Sequence, residues 1–232
     1  MDDSLKALQD EFQDFAYSVS HDLVGPAHRM AEFSKLLADD YADVLTDEGR
    51  LYLSLIMEDG ERLQRLMKGL LEYSRLNAME GAFVAVNGSQ AMEQCLQTLQ
   101  DTIQRKRAIV QYDALPTVLA DEQQLVLLFS WLLSNALLFQ EEGKVPEITM
   151  SASREGAMWR FTVTDNGIGI EEVFHERIFQ PLKRLHGDKE YPGIGMGLAL
   201  ARKVVTCHGG MMGVESSLGK GTTFWFTLSA VS

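Results

Sequence analysis

The sequence contains little of what marks membrane, secreted or metal-binding chains. Only two cysteines occur among 232 residues. Cys95 and Cys207 fit no metal-binding spacing, and we expect both to be free thiols in a reducing cytosol. No apolar run reaches the roughly 18–20 residues that span a bilayer, and the acidic start, Met-Asp-Asp-Ser, lacks the basic region of a signal peptide. We therefore expect a cytoplasmic chain without a membrane segment.

Positive charge is also scarce. Lysine and arginine number 21 against 33 aspartates and glutamates, which gives a net charge of −12 at pH 7. The chain thus lacks the basic footprint of nucleic-acid binding, and we exclude that class of partner. The same charge repels an anionic ligand such as a nucleotide at long range. A nucleotide site here needs local compensation from cationic side chains, backbone amides or a metal ion.

Glycine is sparse in the first 76 residues, where apolar residues recur with helical spacing. The periodicity continues through Pro26, which predicts a long helix with a kink, and residues 46–49 predict a turn before a second helix. Two helices cannot enclose such a long apolar stripe, so either the rest of the chain or a second copy covers it. We favour a symmetric homodimer, in which two hairpins form a four-helix bundle.

From residue 77 onward the pattern becomes mixed α/β, so the fold class is α+β, with one domain over residues 1–76 and a second over residues 77–232. The second domain alternates strand-like and helix-like runs and ends in a pair of strands. The predicted strands cover 83–86, 108–112, 148–153, 158–164, 211–216 and 222–228, and the predicted helices cover 89–104, 122–140 and 196–208.

Two glycine clusters are the most informative motifs. Residues 165–170 read Asp-Asn-Gly-Ile-Gly-Ile after a predicted strand, and residues 193–197 read Gly-Ile-Gly-Met-Gly before a predicted helix. A glycine turn that leads into a helix N-terminus offers free N–H groups to phosphate. Each cluster alone is a weak signal, but the two in order predict a nucleotide site. The basic segment between them is either a mobile lid or a solvated loop; it contains Lys183, Arg184, His186 and Lys189.

Three polar side chains stand out at positions suited to chemistry. His21 lies on the flank of the first apolar stripe beside Asp22, which could orient the imidazole for nucleophilic attack. Asn135 lies in a very apolar helix, where its amide either caps a loop or presents an oxygen to Mg²⁺. Asp165 ends a strand, where it either starts a turn or accepts a hydrogen bond from an exocyclic amine such as that of adenine.

In this order, the motifs resemble the catalytic core of a sensor histidine kinase of a two-component system. The similarity covers nearly the whole chain and is closest to phytochrome-like kinases. It rests on a phospho-acceptor box, an asparagine box, a first glycine box, a phenylalanine-containing segment, a second glycine box and a closing hairpin, at residues 15–30, 123–139, 165–170, 174–185, 193–200 and 219–226.

The resemblance implies a dimerisation and histidine-phosphotransfer hairpin, followed by an α/β-sandwich ATP-binding domain of the histidine kinase, gyrase and chaperone type. It implies that His21 accepts the γ-phosphoryl group of ATP, assisted by Asp22, and passes it to an aspartate of a response regulator receiver domain. It also implies a set of nucleotide contacts. In this set, Asn135 binds Mg²⁺, and Asp165 contacts adenine in a pocket shaped by Gly167 and Gly169. The phosphates are framed by Gly193, Gly195 and Gly197. Arg184 contacts phosphate, and Thr223 lies near the purine.

The sequence departs from the family pattern at four positions. Trp131 and Leu138 stand where the family commonly has an asparagine and a cation, Ile194 replaces a threonine, and Gly25 replaces a side chain used in dephosphorylating the regulator. Loss of a phosphate-binding cation costs on the order of 10²–10³ in rate. The main hypothesis is an active kinase with reduced activity. The alternative is a degenerate kinase that serves as a dimeric phosphotransfer or scaffold protein.

A third interpretation is an ATPase of the chaperone or topoisomerase type. It is disfavoured by the His21 segment on a dimerising hairpin and by the absence of a glutamate one turn before Asn135.

Overall fold

The computed structural model describes residues 2–78, 83–187 and 190–231, without the side chains of residues 2–17, 20, 21, 77 and 78. The chain divides into two compact units, Met1–Ala78 and Met79–Ser232. The predicted order of a helical hairpin followed by an α/β domain is confirmed. Within the described ranges, no helix combines the length and the apolar character needed to cross a membrane.

The first unit is a hairpin of two long helices, α1 (Asp2–Asp40) and α2 (Asp47–Ala78). Helix α1 continues through Pro26, as the unbroken apolar periodicity predicts. The helices approach closely where their side chains are small. Ala27 is buried, and a Cβ atom added at Gly60 would lie 3.1 Å from the Cβ of Ala31. Because only small residues occupy this contact, the two backbones pack side by side.

The connection between the helices lies earlier than the sequence predicts. The chain turns at residues 41–44, and α2 already begins at Asp47, inside the predicted turn of residues 46–49. Thr46 is the reason, because its Oγ1 accepts a hydrogen bond from the N–H of Gly49 over 3.1 Å and caps the helix. The acidic pair Asp47 and Glu48 then occupies the first turn, where the helix dipole favours negative charge.

Many large apolar side chains of the hairpin remain exposed to solvent. Phe33 is 61% exposed and Val44 is 75% exposed, although folded proteins rarely leave a large apolar surface in contact with solvent. The exposed members of the described hairpin are Val19, Leu23, Met30, Phe33, Leu36, Leu37, Tyr41, Val44, Leu51, Tyr52, Leu55 and Ile56. The hairpin therefore keeps an apolar surface that the described residues of this chain do not cover.

The second unit is built on a five-stranded sheet with the strand order β2-β4-β5-β7-β6. Strand β2 pairs in parallel with β4, and the other neighbours are antiparallel. Strands β1 and β3 form a separate two-stranded sheet. The strands are β1 (Val84–Asn87), β2 (Ile109–Tyr112), β3 (Thr117–Ala120), β4 (Glu147–Glu155), β5 (Met158–Asp165), β6 (Met212–Ser216) and β7 (Thr222–Ser229).

Three helices complete this unit: α3 (Gly88–Lys106), α4 (Glu122–Leu138) and α5 (Gly197–Cys207). Helix α4 packs against both α3 and α5. Its Phe129 meets two sheet residues, Phe161 and Phe226, whose rings stack with centroids 4.9 Å apart. All three rings are fully buried, so this aromatic cluster joins α4 to the centre of the sheet.

His208 joins three segments of the second unit. Its Nε2 accepts a hydrogen bond from the N–H of Asp121 over 3.1 Å, its Nδ1 lies 2.8 Å from the carbonyl oxygen of Val204, and its ring stacks on Phe83 at 4.3 Å. A nitrogen that accepts and a nitrogen that faces a carbonyl require a neutral ring with the proton on Nδ1. Burial accordingly lowers the pKa of His208.

This arrangement predicts a loss of stability in mild acid. Because the pKa of His208 is lower in the folded chain than the ordinary value of about 6.5, the unfolded chain binds more protons below that pH. The free energy of unfolding should therefore decrease as the pH falls below about 6.5. All three tryptophans, Trp131, Trp159 and Trp225, lie in the second unit, so denaturation followed by tryptophan fluorescence at several pH values measures this unit directly.

The matched control for this measurement is His208→Gln, which cannot titrate. We expect it to be less stable at pH 7.5 but less sensitive to acid than the wild type, while every other titrating group acts equally in both proteins. Identical pH dependence in the two proteins would contradict the assignment.

Candidate functional site

One cavity of the second unit brings both glycine clusters together. It has a volume of about 190 Å³ and lies between the C-terminal half of α4, the adjoining ends of β5 and β7, and the segment that leads into α5. The predicted site residues that line it are Asn135, Asp165, Gly169, Arg184, Gly193, Gly195 and Gly197. Residues predicted from separate motifs thus share one cavity.

Asp165 ends β5 and is only 8% exposed. Its Oδ1 accepts hydrogen bonds from the N–H of Gly167 over 2.8 Å and from the N–H of Thr222 over 3.2 Å. Burial raises the pKa of the Asp165 carboxyl to about 6, because the two backbone bonds and the charge of Lys144 offset only part of the desolvation. Both bonds from the described residues fall on Oδ1, which leaves Oδ2 for a ligand in the cavity.

The first glycine cluster admits no side chain at its two glycines. A Cβ atom at Gly167 would lie 2.2 Å from the carbonyl oxygen of Phe139, and one at Gly169 would lie 2.0 Å from that of Ser217. Gly169 also has a φ of +72°. Gly169 lines the cavity, whereas Gly167 does not line it but donates the hydrogen bond that fixes Asp165. The two glycines therefore let three chain segments meet around the carboxylate.

Asn135 extends from α4 into the lining of the cavity. Its Nδ2 is buried and finds no hydrogen-bond partner among the described residues. An unpaired buried amide costs about 1–3 kcal/mol, so this side chain is suited to a partner that the protein does not supply. No group of three or more His, Cys, Asp or Glu side chains in the described ranges could hold a metal ion alone.

The second glycine cluster lies where α5 begins. Gly195 has a φ of +71°, and a Cβ atom there would lie 2.7 Å from the carbonyl oxygen of Lys183. Gly197 is the first residue of α5, so the positive end of the helix dipole lies at the cavity. Trp131 packs beside it, 3.8 Å from where a Cβ atom of residue 197 would lie. In this cluster, the backbone of Gly195 lies close to that of Lys183, and Gly197 begins a helix.

The basic segment between the clusters contributes the cations of the cavity. Arg177, Lys183 and Arg184 all line it. The Nη2 of Arg184 donates a hydrogen bond to the carbonyl oxygen of Tyr191 over 2.6 Å. His186 lines the cavity as well, whereas Lys189 lies outside the described residues.

Tyr191 is a residue that the sequence analysis missed. Its ring lies 5.1 Å from those of Phe139 and His186, and its hydroxyl donates a hydrogen bond to the carbonyl oxygen of Gln140 over 3.2 Å. These contacts join the basic segment to the end of α4. No motif marks Tyr191, because its role depends on Phe139, about 50 residues earlier in the chain.

Thr223 requires a correction, because its neighbour Thr222 lines the cavity instead. The Oγ1 of Thr223 lies 2.9 Å from the Oγ1 of Thr164, on the other face of the sheet. Side chains alternate along a strand, and Thr222 pairs with Asp165 in the register of β5 and β7. Thr222 lies two residues before Phe224 and four before Phe226, so strand periodicity places it on the same face of β7 as these buried rings.

The predicted phospho-acceptor lies in the other unit. The backbone of His21 is helical within α1, and its side chain lies outside the described part of the chain. Asp22 follows it in the same helix with an exposed side chain. Their proposed chemistry therefore rests on sequence and on the comparisons with known proteins.

Two protein-family models match the chain. The His Kinase A (phospho-acceptor) domain matches residues 13–78, and the histidine kinase-, DNA gyrase B-, and HSP90-like ATPase matches residues 120–232. The first match contains His21, and the second contains the whole lining of the cavity. The first model matches most of the first unit, and the second matches the second unit from residue 120 onward.

Known proteins with similar sequences and structures agree with these matches. Cyanobacterial phytochrome A of Nostoc sp. is 39% identical over 94% of this chain and 28% of its own length. Phytochrome-like protein Cph1 of Synechocystis sp. is 31% identical over 97% of this chain and 30% of its own length. The chain thus spans less than a third of either relative. Full-length ShkA, solved in complex with AMPPNP, has a TM-score of 0.70 at 27% identity and covers 94% of this chain and 46% of its own.

The second glycine cluster yields a paired test. Gly195→Ala should destabilise the second unit by about 1–3 kcal/mol, because it places a Cβ atom at positive φ and against the backbone of Lys183. Gly193→Ala should change stability by less than about 0.5 kcal/mol, since no heavy atom lies within 4 Å of a Cβ there. Denaturant unfolding followed by tryptophan fluorescence measures both variants. Equal stability of the two variants would contradict the proposed close approach at Gly195.

Proposed function

The chain belongs to the histidine kinase family, and we propose that it acts as the kinase core of a two-component sensor. In this function, His21 accepts the γ-phosphoryl group of ATP and passes it to an aspartate of a response regulator receiver domain. We assign dimerisation and phosphotransfer to residues 1–76, and ATP binding and catalysis to residues 77–232. The observation that carries the proposal is the cavity that unites Asp165, Asn135 and both glycine clusters on a chain with a phospho-acceptor domain.

Asp165 recognises the base of the nucleotide. Its Oδ2 accepts a hydrogen bond from the exocyclic amine of adenine, while Oδ1 stays bonded to the backbone. Gly169 and Thr222 lie beside it in the cavity lining and shape the space for a flat ring. A guanine base presents a carbonyl oxygen where adenine has its amine, so the carboxylate disfavours it.

The phosphates lie toward the second glycine cluster. The N–H groups at the start of α5 and the guanidinium of Arg184 line that part of the cavity and provide positive potential. Gly193, Gly195 and Gly197 let the backbone approach the phosphate oxygens. In this position the nucleotide directs its γ-phosphate away from Asp165, whose charge would repel it.

The site also fits Mg²⁺, the ion that the family implies. Asn135 lines the cavity, and its amide oxygen is a ligand that Mg²⁺ accepts alongside phosphate oxygens and water, while its unpartnered Nδ2 can donate a hydrogen bond to a phosphate oxygen. When bound, the ion neutralises charge that develops on the phosphates during transfer. Asn135 would hold it on the α4 side of the cavity.

The transfer step uses the imidazole of His21 as the nucleophile. Its nitrogen forms a bond to the γ-phosphorus as the bond between that phosphorus and the bridging oxygen of ADP breaks. Asp22 accepts the proton from the other ring nitrogen, which keeps the attacking nitrogen basic. A carboxylate oxygen of the receiver aspartate then attacks the phosphorus as the bond between phosphorus and the histidine nitrogen breaks. Asp22 returns its proton to the other ring nitrogen, so the histidine leaves as the neutral imidazole.

We further propose that the chain functions as a homodimer through the hairpin. The exposed apolar side chains of α1 and α2, such as Phe33, Leu36 and Leu55, support this interface. A symmetric pair of hairpins would bury them in a four-helix bundle. We propose a cytoplasmic location, because the reaction consumes ATP and because Cys95 forms no disulfide.

Autophosphorylation is tested with γ-labelled ATP and Mg²⁺. We expect acid-labile label on the wild-type chain and none on His21→Ala, because a phosphorylated histidine hydrolyses in acid. His28→Ala is the matched control, since His28 is an exposed histidine of the same helix and should leave labelling intact. Nucleotide binding without label on the wild type would favour the alternative, a degenerate kinase that serves as a phosphotransfer or scaffold protein.

Recognition of the base is tested through its pH dependence. Adenosine should bind more weakly as the pH falls from 7.5 to 5.5, because Asp165, with a pKa of about 6, becomes protonated and loses its charged acceptor. Adenosine lacks phosphates, so the titration of ATP itself does not interfere. Calorimetric titration measures the affinity, and Asp165→Asn should bind weakly at every pH. A wild-type affinity that does not change with pH would contradict this role.

A further inference from the structure

A bound triphosphate requires positive charge, and the cationic side chains of the cavity come from one segment. The end of α4 contributes Asn135, Leu138 and Phe139, none of which is charged. The buried carboxyl of Asp165 adds negative charge to a chain whose net charge is already −12. All the lysine and arginine residues of the cavity lining come from residues 177–184. Beside the N-terminus of α5 and the Mg²⁺ that Asn135 would hold, this segment is therefore the source of positive charge for the phosphates.

Two of its three cations already have partners in the protein. The guanidinium of Arg184 donates to the carbonyl oxygen of Tyr191, and that of Arg177 lies 5.9 Å from the centre of the Phe174 ring. The ammonium of Lys183 has neither a hydrogen-bond nor an ion-pair partner within the described ranges. Lys183 therefore lines the cavity with its charge available to a ligand.

The backbone that carries Lys183 is tightly fixed. The N–H of Lys183 donates to the carbonyl oxygen of Gln180 over 3.3 Å and closes a turn in which Leu182 has a φ of +63°. This position in a type II turn is usually glycine, so the conformation of Leu182 is strained. The N–H of Leu182 donates to the carbonyl oxygen of Gly195 over 2.9 Å. A turn held in this way positions Lys183 against the second glycine cluster.

We propose that Lys183 binds the phosphates of the nucleotide and supplies the charge that α4 lacks. This inference rests on the proposed function and adds a specific residue to it. The strained turn is stable because Gly195 accepts the hydrogen bond from Leu182 and, without a side chain, leaves room for the carbonyl oxygen of Lys183. Leu138 lies in the lining of the same cavity, so its apolar side chain leaves the neutralisation of the phosphates to the opposite side.

The test compares ligands with and without phosphates. Lys183→Ala should weaken the binding of ATP by about tenfold or more, because it removes a charge-assisted hydrogen bond. It should leave the binding of adenosine unchanged, which also shows that the variant is folded. Lys183→Arg should retain most of the affinity for ATP. Lys220→Ala, at an exposed lysine of the same unit that does not line the cavity, should match the wild type.

A double variant tests whether the loss of positive charge from the cavity causes the weaker binding of ATP by Lys183→Ala. Adding Leu138→Lys to Lys183→Ala should restore the affinity for ATP, because it places a cation on the opposite wall. Wild-type binding of ATP with no change in Lys183→Ala would overturn the inference alone, and so would an equal loss of affinity for ATP and adenosine. A wild-type chain that binds neither ligand would overturn the proposed function together with the inference.

Discussion

Asp165 ends β5 with its carboxyl buried, and its Oδ1 accepts hydrogen bonds from the backbone of two other segments. One bond fixes the first glycine cluster at Gly167, and the other fixes the start of β7 at Thr222. A buried carboxyl is costly unless it is hydrogen-bonded. Movement of either segment would break a hydrogen bond to Asp165, so the positions of the two segments are coupled. The shape of the cavity near Asp165 depends on these contacts. Gly167 must lack a side chain for the same reason, since the carbonyl of Phe139 occupies the space.

The polar groups of the site come from elements of different rigidity. Asp165 belongs to a central strand and Asn135 to a helix that packs on the aromatic core, so the packing of the domain fixes both. The cations come from an irregular segment that meets α4 mainly through Tyr191, Phe139 and Gln140. The packed core therefore holds the cavity wall at Asp165 and Asn135, whereas the position of the cations depends on loop hydrogen bonds, such as that from the N–H of Leu182 to the carbonyl oxygen of Gly195.

The hairpin, the α/β domain and the cavity residues could be predicted from the sequence because each depends on a local pattern of residues. The glycine clusters and the helix periodicity are of this kind. Strand β3 was missed, because its four residues pair with β1 about 30 residues earlier, and short strands carry little pattern of their own. The helix predicted over residues 89–104 begins at Gly88, because Asn87 caps it, and the Oγ of Ser89 accepts a hydrogen bond from the N–H of Leu115. The resemblance implied Thr223, whereas Thr222 lines the cavity, because side chains alternate along β7.

The structure shows the surroundings of Trp131 and Leu138, the two residues that depart from the family pattern beside the cavity. From the sequence alone, their lack of the family's polar groups predicts slow turnover of ATP. Trp131 packs beside the first residue of α5, 3.8 Å from where a Cβ atom of residue 197 would lie. Leu138 contributes an apolar side chain to the lining of the cavity. In the proposed site, Lys183 supplies from a strained turn the charge that α4 lacks. We therefore expect the affinity for the phosphates to depend on the geometry of that turn.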